Sequence, residues 1–355
     1  MSPTTAASAT RPGDRADQPL LSVRGLTKDF PVGGLLSRRR VRALNSVDLD
    51  IPRGRIVALV GESGSGKSTI ARCLIRLERP TAGRILLDGE DVTHGRRRRD
   101  WHAYRGRVQM VFQDPFGSLN PVHRVEHFLT RALLVHDRAH GRERLRHRLG
   151  ELMSTVGLAE EMLQSYPHEL SGGQRQRVAI ARALAVDPQV ILADEPTSML
   201  DVSVRIGILN LMRRLRDERG ISMLYITHDL ASARYVADTT MVMFAGELVE
   251  GGDSLALMAR PAHPYTRLLL SAVPDPERAG GYDPVERARL RAAVLSATSC
   301  PYQGDPGRPC SRTEPVRHLV GEDDGQPHWV RCHLYAPAVP TAPHALSAGP
   351  DAVAD

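Results

Sequence analysis

The sequence predicts an α/β fold with a mainly parallel sheet and helices on both faces. Two observations predict it. Short apolar runs of strand type alternate with helical stretches along most of the chain. One such run, Ile56–Val60, leads directly into Gly61-Glu62-Ser63-Gly64-Ser65-Gly66-Lys67-Ser68-Thr69, a glycine-rich loop that opens a helix.

Leu21–Val23 and Val47–Ile51 read as short strands, joined by a loop holding Gly33, Gly34 and an arginine cluster. Ile56–Val60 is apolar at every position, as a strand buried on both faces must be. A helix follows over Thr69–Leu77, then strands at Arg84–Leu87, closed by Asp88-Gly89, and at Val108–Phe112. From Pro115 to about Leu170 the pattern changes. Val125, Phe128, Leu129 and Leu133, then Leu145, Leu149, Leu152 and Val156, carry helical spacing, which predicts a helical insertion. Beyond it the spacing predicts a helix over Gln174–Val186, a buried strand over Val190–Ala193 and a helix over Val204–Arg219 stopped by Gly220. A strand at Met223–Ile226, a helix at Leu230–Val236 and a strand at Thr240–Phe244 complete the alternation. The expected domains are a disordered lead over 1–19, a core over 20–273 with the helical part near 115–172, an extension over 274–335 and a disordered tail over 336–355. The extension opens on an arginine-rich helix at Val285–Val294 and passes into a Cys/Pro/Gly segment.

No apolar stretch approaches the roughly 18–20 residues that cross a bilayer, and Met1–Pro19 lacks the apolar core of a secretory signal. The chain of 355 residues carries a net charge of +6 with only two lysines, Lys28 and Lys67. The clusters Arg38–Arg40 and Arg96–Arg99 have no interleaved aromatic residues, so they read as solvated loops and not as a nucleic-acid surface.

The loop over 61–69 is built for phosphate. Its glycines let backbone N–H groups converge on phosphate oxygens, Lys67 brings a compact charge to the β and γ phosphates, and the Ser68 hydroxyl can ligate Mg²⁺. A second part of the site is expected at Asp194-Glu195, where a strand ends in two acids pointing to opposite faces. Asp194 suits the Mg²⁺ shell, and Glu195 suits a base or water-positioning group. Ser171-Gly172-Gly173-Gln174 forms another anion site at a helix N-terminus. One nucleotide does not need two such loops from one chain, so this one is expected to serve ATP held by a second subunit.

The phosphate loop, Gln113 after a strand, Leu170-Ser171-Gly172-Gly173-Gln174, Asp194-Glu195, Asp201 and His228 stand in the order seen in ATP-binding-cassette ATPases, and the chain resembles them from about Leu21 to Val273. The resemblance implies a phosphate-loop nucleoside triphosphatase core with N-terminal antiparallel β elements and a small C-terminal extension. It implies that Phe30 stacks on adenine, that Gln113 reaches Mg²⁺ and the attacking water, and that Ser171, Gly173 and Gln174 contact the ATP of the opposing subunit. Glu195 becomes the catalytic carboxylate, Asp201 a residue of the loop crossing the dimer interface, and His228 the switch histidine on the γ-phosphate.

Gln113-Asp114-Pro115, Ser118-Leu119-Asn120-Pro121, Pro167-His168-Glu169, Asp201-Val202-Ser203-Val204 and His263-Pro264-Tyr265-Thr266 resemble the oligopeptide/dipeptide importer ATPases. Met199 departs from the alanine usual there. That group implies two transmembrane permease subunits, a second ATPase (a copy or a paralogue), an extracytoplasmic solute-binding protein and a place on the cytoplasmic face of the inner membrane. Its cysteine extension is shortened here to Cys300, Cys310 and Cys332-His333. Three thiolates fall short of the four an iron–sulfur cluster takes; a Cys₃His zinc site with His328 or His333 is the other metal reading, and free buried thiols are the favoured one. The function expected is an ATP-hydrolysing subunit energising an importer of di- or oligopeptides. The alternatives are a soluble cassette ATPase of a phosphonate-cleaving complex and a nucleotide-gated assembly protein.

Overall fold

The structure, a computed structural model, describes residues 18–33, 39–94, 98–114, 117, 119–271, 316–323, 326–332 and 335. The readings of Met1–Ala16, Val285–Val294, Cys300, Cys310, His333 and the Pro/Ala tail lie outside the described residues.

The chain begins with β1 (Leu21–Pro31) and β2 (Arg40–Ile51), an antiparallel pair longer than the sequence suggested. Central strand β3 (Ile56–Val60) feeds helix α1 (Lys67–Leu74). Strands β4 (Ala82–Leu87) and β5 (Glu90–Asp91) join the first sheet, whose order is β2-β1-β4-β5. Helix α2 (Arg98–Arg107) rises from the second arginine cluster, which was expected as a loop. Strand β6 (Val108–Val111) precedes the insertion, made of α3 (Val125–Val135) and α4 (Arg142–Val156). Then come α5 (Gly172–Leu184), β7 (Val190–Asp194), α6 (Val202–Arg219), β8 (Ser222–Thr227), α7 (Leu230–Val236) and β9 (Thr239–Phe244).

The second sheet runs β11 (Arg317–Asp323), β12 (Gln326–Arg331), β10 (Glu247–Asp253), then β9, β3, β8, β7 and β6. Its β9, β3, β8, β7 and β6 are parallel. Alternation along these strands divides the core in two. Ile56, Ala58, Val60, Ile191, Ala193, Met223 and Tyr225 pack on the side of the helical insertion. Val57, Leu59, Val190, Leu192, Leu224 and Ile226 pack on the side of the antiparallel sheet. A one-residue slip of any strand would exchange these sets, so burial fixes the register and with it the position of every loop at the strand ends.

The insertion is continuous with the first of these cores. Val125, Leu129 and Leu133 on α3, and Leu149, Leu152, Met153 and Val156 on α4, are fully or almost fully buried in it. Gly157 ends α4 and Gly220 ends α6, both in the left-handed conformation where a side chain would be strained.

Antiparallel strands β10 (Glu247–Asp253), β11 (Arg317–Asp323) and β12 (Gln326–Arg331) extend the sheet beyond β9. Helices α8 (Ser254–Ala259) and α9 (Pro264–Ser271) follow β10. None of these five elements was read from the sequence. In β10 the order Glu-Leu-Val-Glu-Gly-Gly-Asp hides the apolar alternation, although Glu250 is completely buried.

Candidate active site

The phosphate loop is shaped by what its glycines touch. A Cβ on Gly61 would lie 2.2 Å from the Met243 carbonyl oxygen, and one on Gly66 would lie 2.7 Å from that of Ala43. The loop is therefore wedged between β9 and β2, and only glycine fits. Inside it, Lys67 is 4% exposed, and its Nζ donates to the carbonyls of Gly61 at 2.8 Å and Glu62 at 2.7 Å. Burial lowers the Lys67 pKa, and Glu195, Asp194 and Glu62 oppose that shift. The buried Ser65 Oγ has no hydrogen-bond partner among the described residues. A glycine loop pressed against two strands, a buried ammonium donating to loop carbonyls and a buried hydroxyl left over fit a bound polyphosphate.

Strand β7 ends beside this loop. The Ser68 hydroxyl donates to Asp194 Oδ1 at 3.0 Å. Burial raises the Asp194 pKa, and Glu195 adds to the shift while the Ser68 hydrogen bond opposes it. A serine hydroxyl and a carboxylate oxygen are hard donors of the kind Mg²⁺ takes.

Glu195 has φ 45°, rare for a residue with a side chain. The conformation is held by its N–H, which donates to Ile226 O at 2.9 Å, and by its carbonyl, which accepts from Ser198 Oγ at 3.0 Å. The turn reverses the carboxylate toward two other elements. Glu195 Oε2 accepts from Gln113 Nε2 at 3.0 Å, and Oε1 lies 3.2 Å from His228 Nδ1. Gln113 follows β6 and His228 follows β8, so three strand ends bring together three residues far apart in sequence. His228 is exposed while the Glu195 side chain is largely buried.

Ser171 caps α5. Its Oγ accepts from Gln174 N at 3.2 Å, and Gln174 Oε1 accepts from Ser171 N at 2.8 Å, a reciprocal capping box. A Cβ on Gly173 would lie 2.3 Å from Val204 Cγ1, so α5 packs closely on α6 at this point. No hydrogen bond between described residues joins 171–174 to 61–69. Asp201 is exposed at the start of α6, beside exposed Met199, Val202 and Ile206. Phe30 pairs with Val41 on β2, the strand that passes Gly66 at Ala43, and Lys28 Nζ sits 4.7 Å from the Phe30 ring centre.

Residues 44–198 match the family described as ABC transporter, and residues 249–305 match the oligopeptide/dipeptide transporter C-terminal region. The chain is 45% identical over 259 residues to the oligopeptide transport ATP-binding protein OppF of Bacillus subtilis, covering 73% of this chain and 83% of that one. The chain belongs to the ATP-binding-cassette family. It is also 43% identical to the dipeptide transport ATP-binding protein DppF of Escherichia coli, over 80% of this chain and 84% of the relative. A dimeric ATP-binding cassette solved in a post-hydrolysis state with ADP and phosphate superposes with a TM-score of 0.59 at 31% identity. That match covers 66% of this chain and 98% of the solved one. Like other members of the family, this cassette is an ATPase with the mixed α/β architecture expected.

Sequence reasoning missed one contact in the cassette's site. Tyr265 was read only as part of a family mark, yet its hydroxyl accepts the N–H of Glu62 in the phosphate loop at 3.0 Å. The signal was available, since a buried tyrosine hydroxyl needs a partner. Among the described residues no group of three His, Cys, Asp or Glu side chains is placed to hold a metal. Cys332 is buried beside Ala262 and Val330, and His328 gives its Nε2 to Glu250.

Proposed function

We propose that this chain is the ATP-hydrolysing subunit that energises an importer of di- or oligopeptides. The relatives named for oligopeptide and dipeptide transport support this reading, as does the match over 249–305. The observation that carries the hydrolytic part is the convergence of Gln113 and His228 on Glu195.

In this reading the loop over Gly61–Thr69 holds the ATP phosphates, with Lys67 turning from its two carbonyls to the β and γ oxygens. Phe30 stacks on the adenine. Ser68, Asp194 and Gln113 would hold Mg²⁺, which would supply neutralisation of the phosphate charge. Glu195 positions the attacking water and takes its proton, while His228 moves from Glu195 to the γ-phosphate. The chemistry rests on positioning and charge stabilisation, with no covalent intermediate on the protein. Ser171, Gly173 and Gln174 close on the ATP of a second ATPase subunit, and Asp201 lies at the seam between them. The exposed Met199, Val202 and Ile206 suit burial in such a seam.

Two permease subunits complete the assembly at the cytoplasmic face of the membrane, with a solute-binding protein outside. No described helix is long and apolar enough to cross a membrane. In this reading the permeases hold the chain at the membrane. A groove of about 570 Å³ between the sheet core and the helical insertion fits a permease helix. Met110, Phe112, Phe128, Arg105, Arg131 and Arg182 are among its lining residues. The test is co-purification. The Glu195→Gln chain, tagged in its host and extracted in mild detergent with ATP and Mg²⁺, should bring down two permease subunits. Recovery only from the soluble fraction, with enzymes attached, would overturn the transport role.

A further inference from the structure

The peptide group between Gly61 and Glu62 is pinned at both ends. Its carbonyl accepts from Lys67 Nζ at 2.8 Å, and its N–H donates to the Tyr265 hydroxyl at 3.0 Å. Once Lys67 turns to phosphate, the tyrosine bond alone holds this peptide. Tyr265 is fully buried and packs on Phe244 with ring centres 4.4 Å apart.

Tyr265 is held by a chain of buried polar contacts that leads to the far edge of the sheet. Its own N–H donates to His263 Nδ1 at 3.1 Å. Burial lowers the His263 pKa to about 4, so the ring is neutral at pH 7 and Nδ1 can accept. The N–H groups of Ala262 and His263 donate to the two oxygens of Glu250, at 2.7 Å and 3.0 Å. Glu250 Oε1 also receives His328 Nε2 at 2.8 Å, and that pair is nearly inaccessible, at 0% and 6% exposure. His328 lies on β12. The Tyr335 hydroxyl reinforces the junction by donating to Ala262 O at 3.0 Å. The fit is close, because a Cβ on Gly251 would lie 2.6 Å from the Trp329 ring and one on Gly252 would lie 3.2 Å from His328 Cα.

We propose that the C-terminal hairpin β11–β12 sets the affinity of the phosphate loop for ATP through the buried chain His328–Glu250–His263–Tyr265–Glu62, with Tyr265 as the positioning residue. A carboxylate that accepts three hydrogen bonds while fully buried ties three segments together (β10, the 262–263 turn and β12). Displacing β12 leaves that carboxylate short of a donor and frees the turn that aims Tyr265. The phosphate loop then loses its fixed first peptide, and ATP must order it on binding. Among the described residues the hairpin supplies the donor to Glu250, with Tyr335 behind it on Ala262, which makes it the handle through which events at the C-terminus reach the nucleotide.

The test uses the full-length chain and Mg-ATP. Tyr265→Phe keeps the ring on Phe244 and removes only the acceptor. It should weaken ATP binding, measured by titration calorimetry, by about fivefold, the effect of one lost hydrogen bond. KM for ATP should rise in parallel, while kcat stays within about twofold because the loss falls on binding. His328→Ala should weaken ATP to a similar degree, and His328→Gln, which restores an N–H at the Nε2 position, should recover it. In the double variant the two effects should not multiply, since both break one chain, whereas independent sites add. Should His328→Ala fail to fold, Glu250→Gln takes its place in the cycle, because it turns an amide N–H against the His263 N–H. An unchanged KM in Tyr265→Phe, or multiplicative effects in the double variant, would overturn the proposal.

Discussion

Replacing Lys67 by alanine tests the electrostatics of the site most directly. In the structure its ammonium holds the carbonyls of Gly61 and Glu62 at 2.8 and 2.7 Å. Binding ATP exchanges those contacts for the β and γ phosphates. Two phosphate charges, each about 4 Å from the ammonium at an effective dielectric near 20, are worth about 4 kcal/mol apiece and about 8 kcal/mol together. The two carbonyl bonds given up by a charged donor are worth about 1.5–3 kcal/mol each, so the net loss on removing Lys67 is about 2–5 kcal/mol. ATP affinity should therefore fall by about 30-fold to several thousand-fold. ADP offers one phosphate charge, about 4 kcal/mol, which only offsets the two carbonyl bonds. Its affinity should change by less than about tenfold. The assay is calorimetric titration of the full-length chain with each nucleotide and Mg²⁺. Equal losses for ATP and ADP, or an ATP loss below about fivefold, would refute the claim that Lys67 leaves its carbonyls for the γ-phosphate.

Three further outcomes follow from the same geometry. Glu195→Gln preserves shape and an acceptor for Gln113, so ATP binding should persist while steady-state hydrolysis drops by about 10²–10⁴-fold, read by phosphate release. A normal rate would remove Glu195 from the base role. Asp194→Asn should raise the thermal midpoint of the nucleotide-free protein by about 2 °C at pH 7 while abolishing Mg-dependent hydrolysis. The sign follows from burial: a carboxyl whose pKa is raised in the folded state costs stability above that pKa, and the cost vanishes below the unfolded value, so the gain should fade in acid. His263 runs the other way, since its folded pKa of about 4 lies below the unfolded 6.5. Its contribution to stability is complete above pH 6.5 and lost as pH falls toward 4, about 3 kcal/mol in all. His263→Asn keeps an acceptor for the Tyr265 N–H and should flatten denaturant-measured stability across that window. A slope as steep as wild type would place the titration elsewhere.

Much of the site was legible because its chemistry is carried by adjacent residues. Gly61–Thr69 needs a strand before it and a helix after it, and both have local signatures. Asp194-Glu195 and Ser171–Gln174 are likewise contiguous, and the reciprocal bonds of the Ser171 cap involve residues three apart. The insertion was legible through the helical spacing of Leu129, Leu133, Leu149 and Leu152. The misses share a cause. Helix α2 is arginine-rich and its apolar face is short, little more than Trp101 and Tyr104, and β10 places a buried glutamate where alternation calls for an apolar side chain. Glu250 is tolerated in the core only because three donors from two distant segments reach it, and no sequence window contains them.

The sequence by itself determined the parallel α/β core, the phosphate loop and the family, because each depends on spacing within a few tens of residues. Only the tertiary structure decided which groups meet. It turned Glu195 through a left-handed backbone to face Gln113 and His228, and it added β11–β12 to the core sheet. It also carried the Tyr265 hydroxyl to Glu62 across 203 residues of chain. Hydrogen bonds of that reach are fixed by sheet order and burial, which are properties of the whole fold.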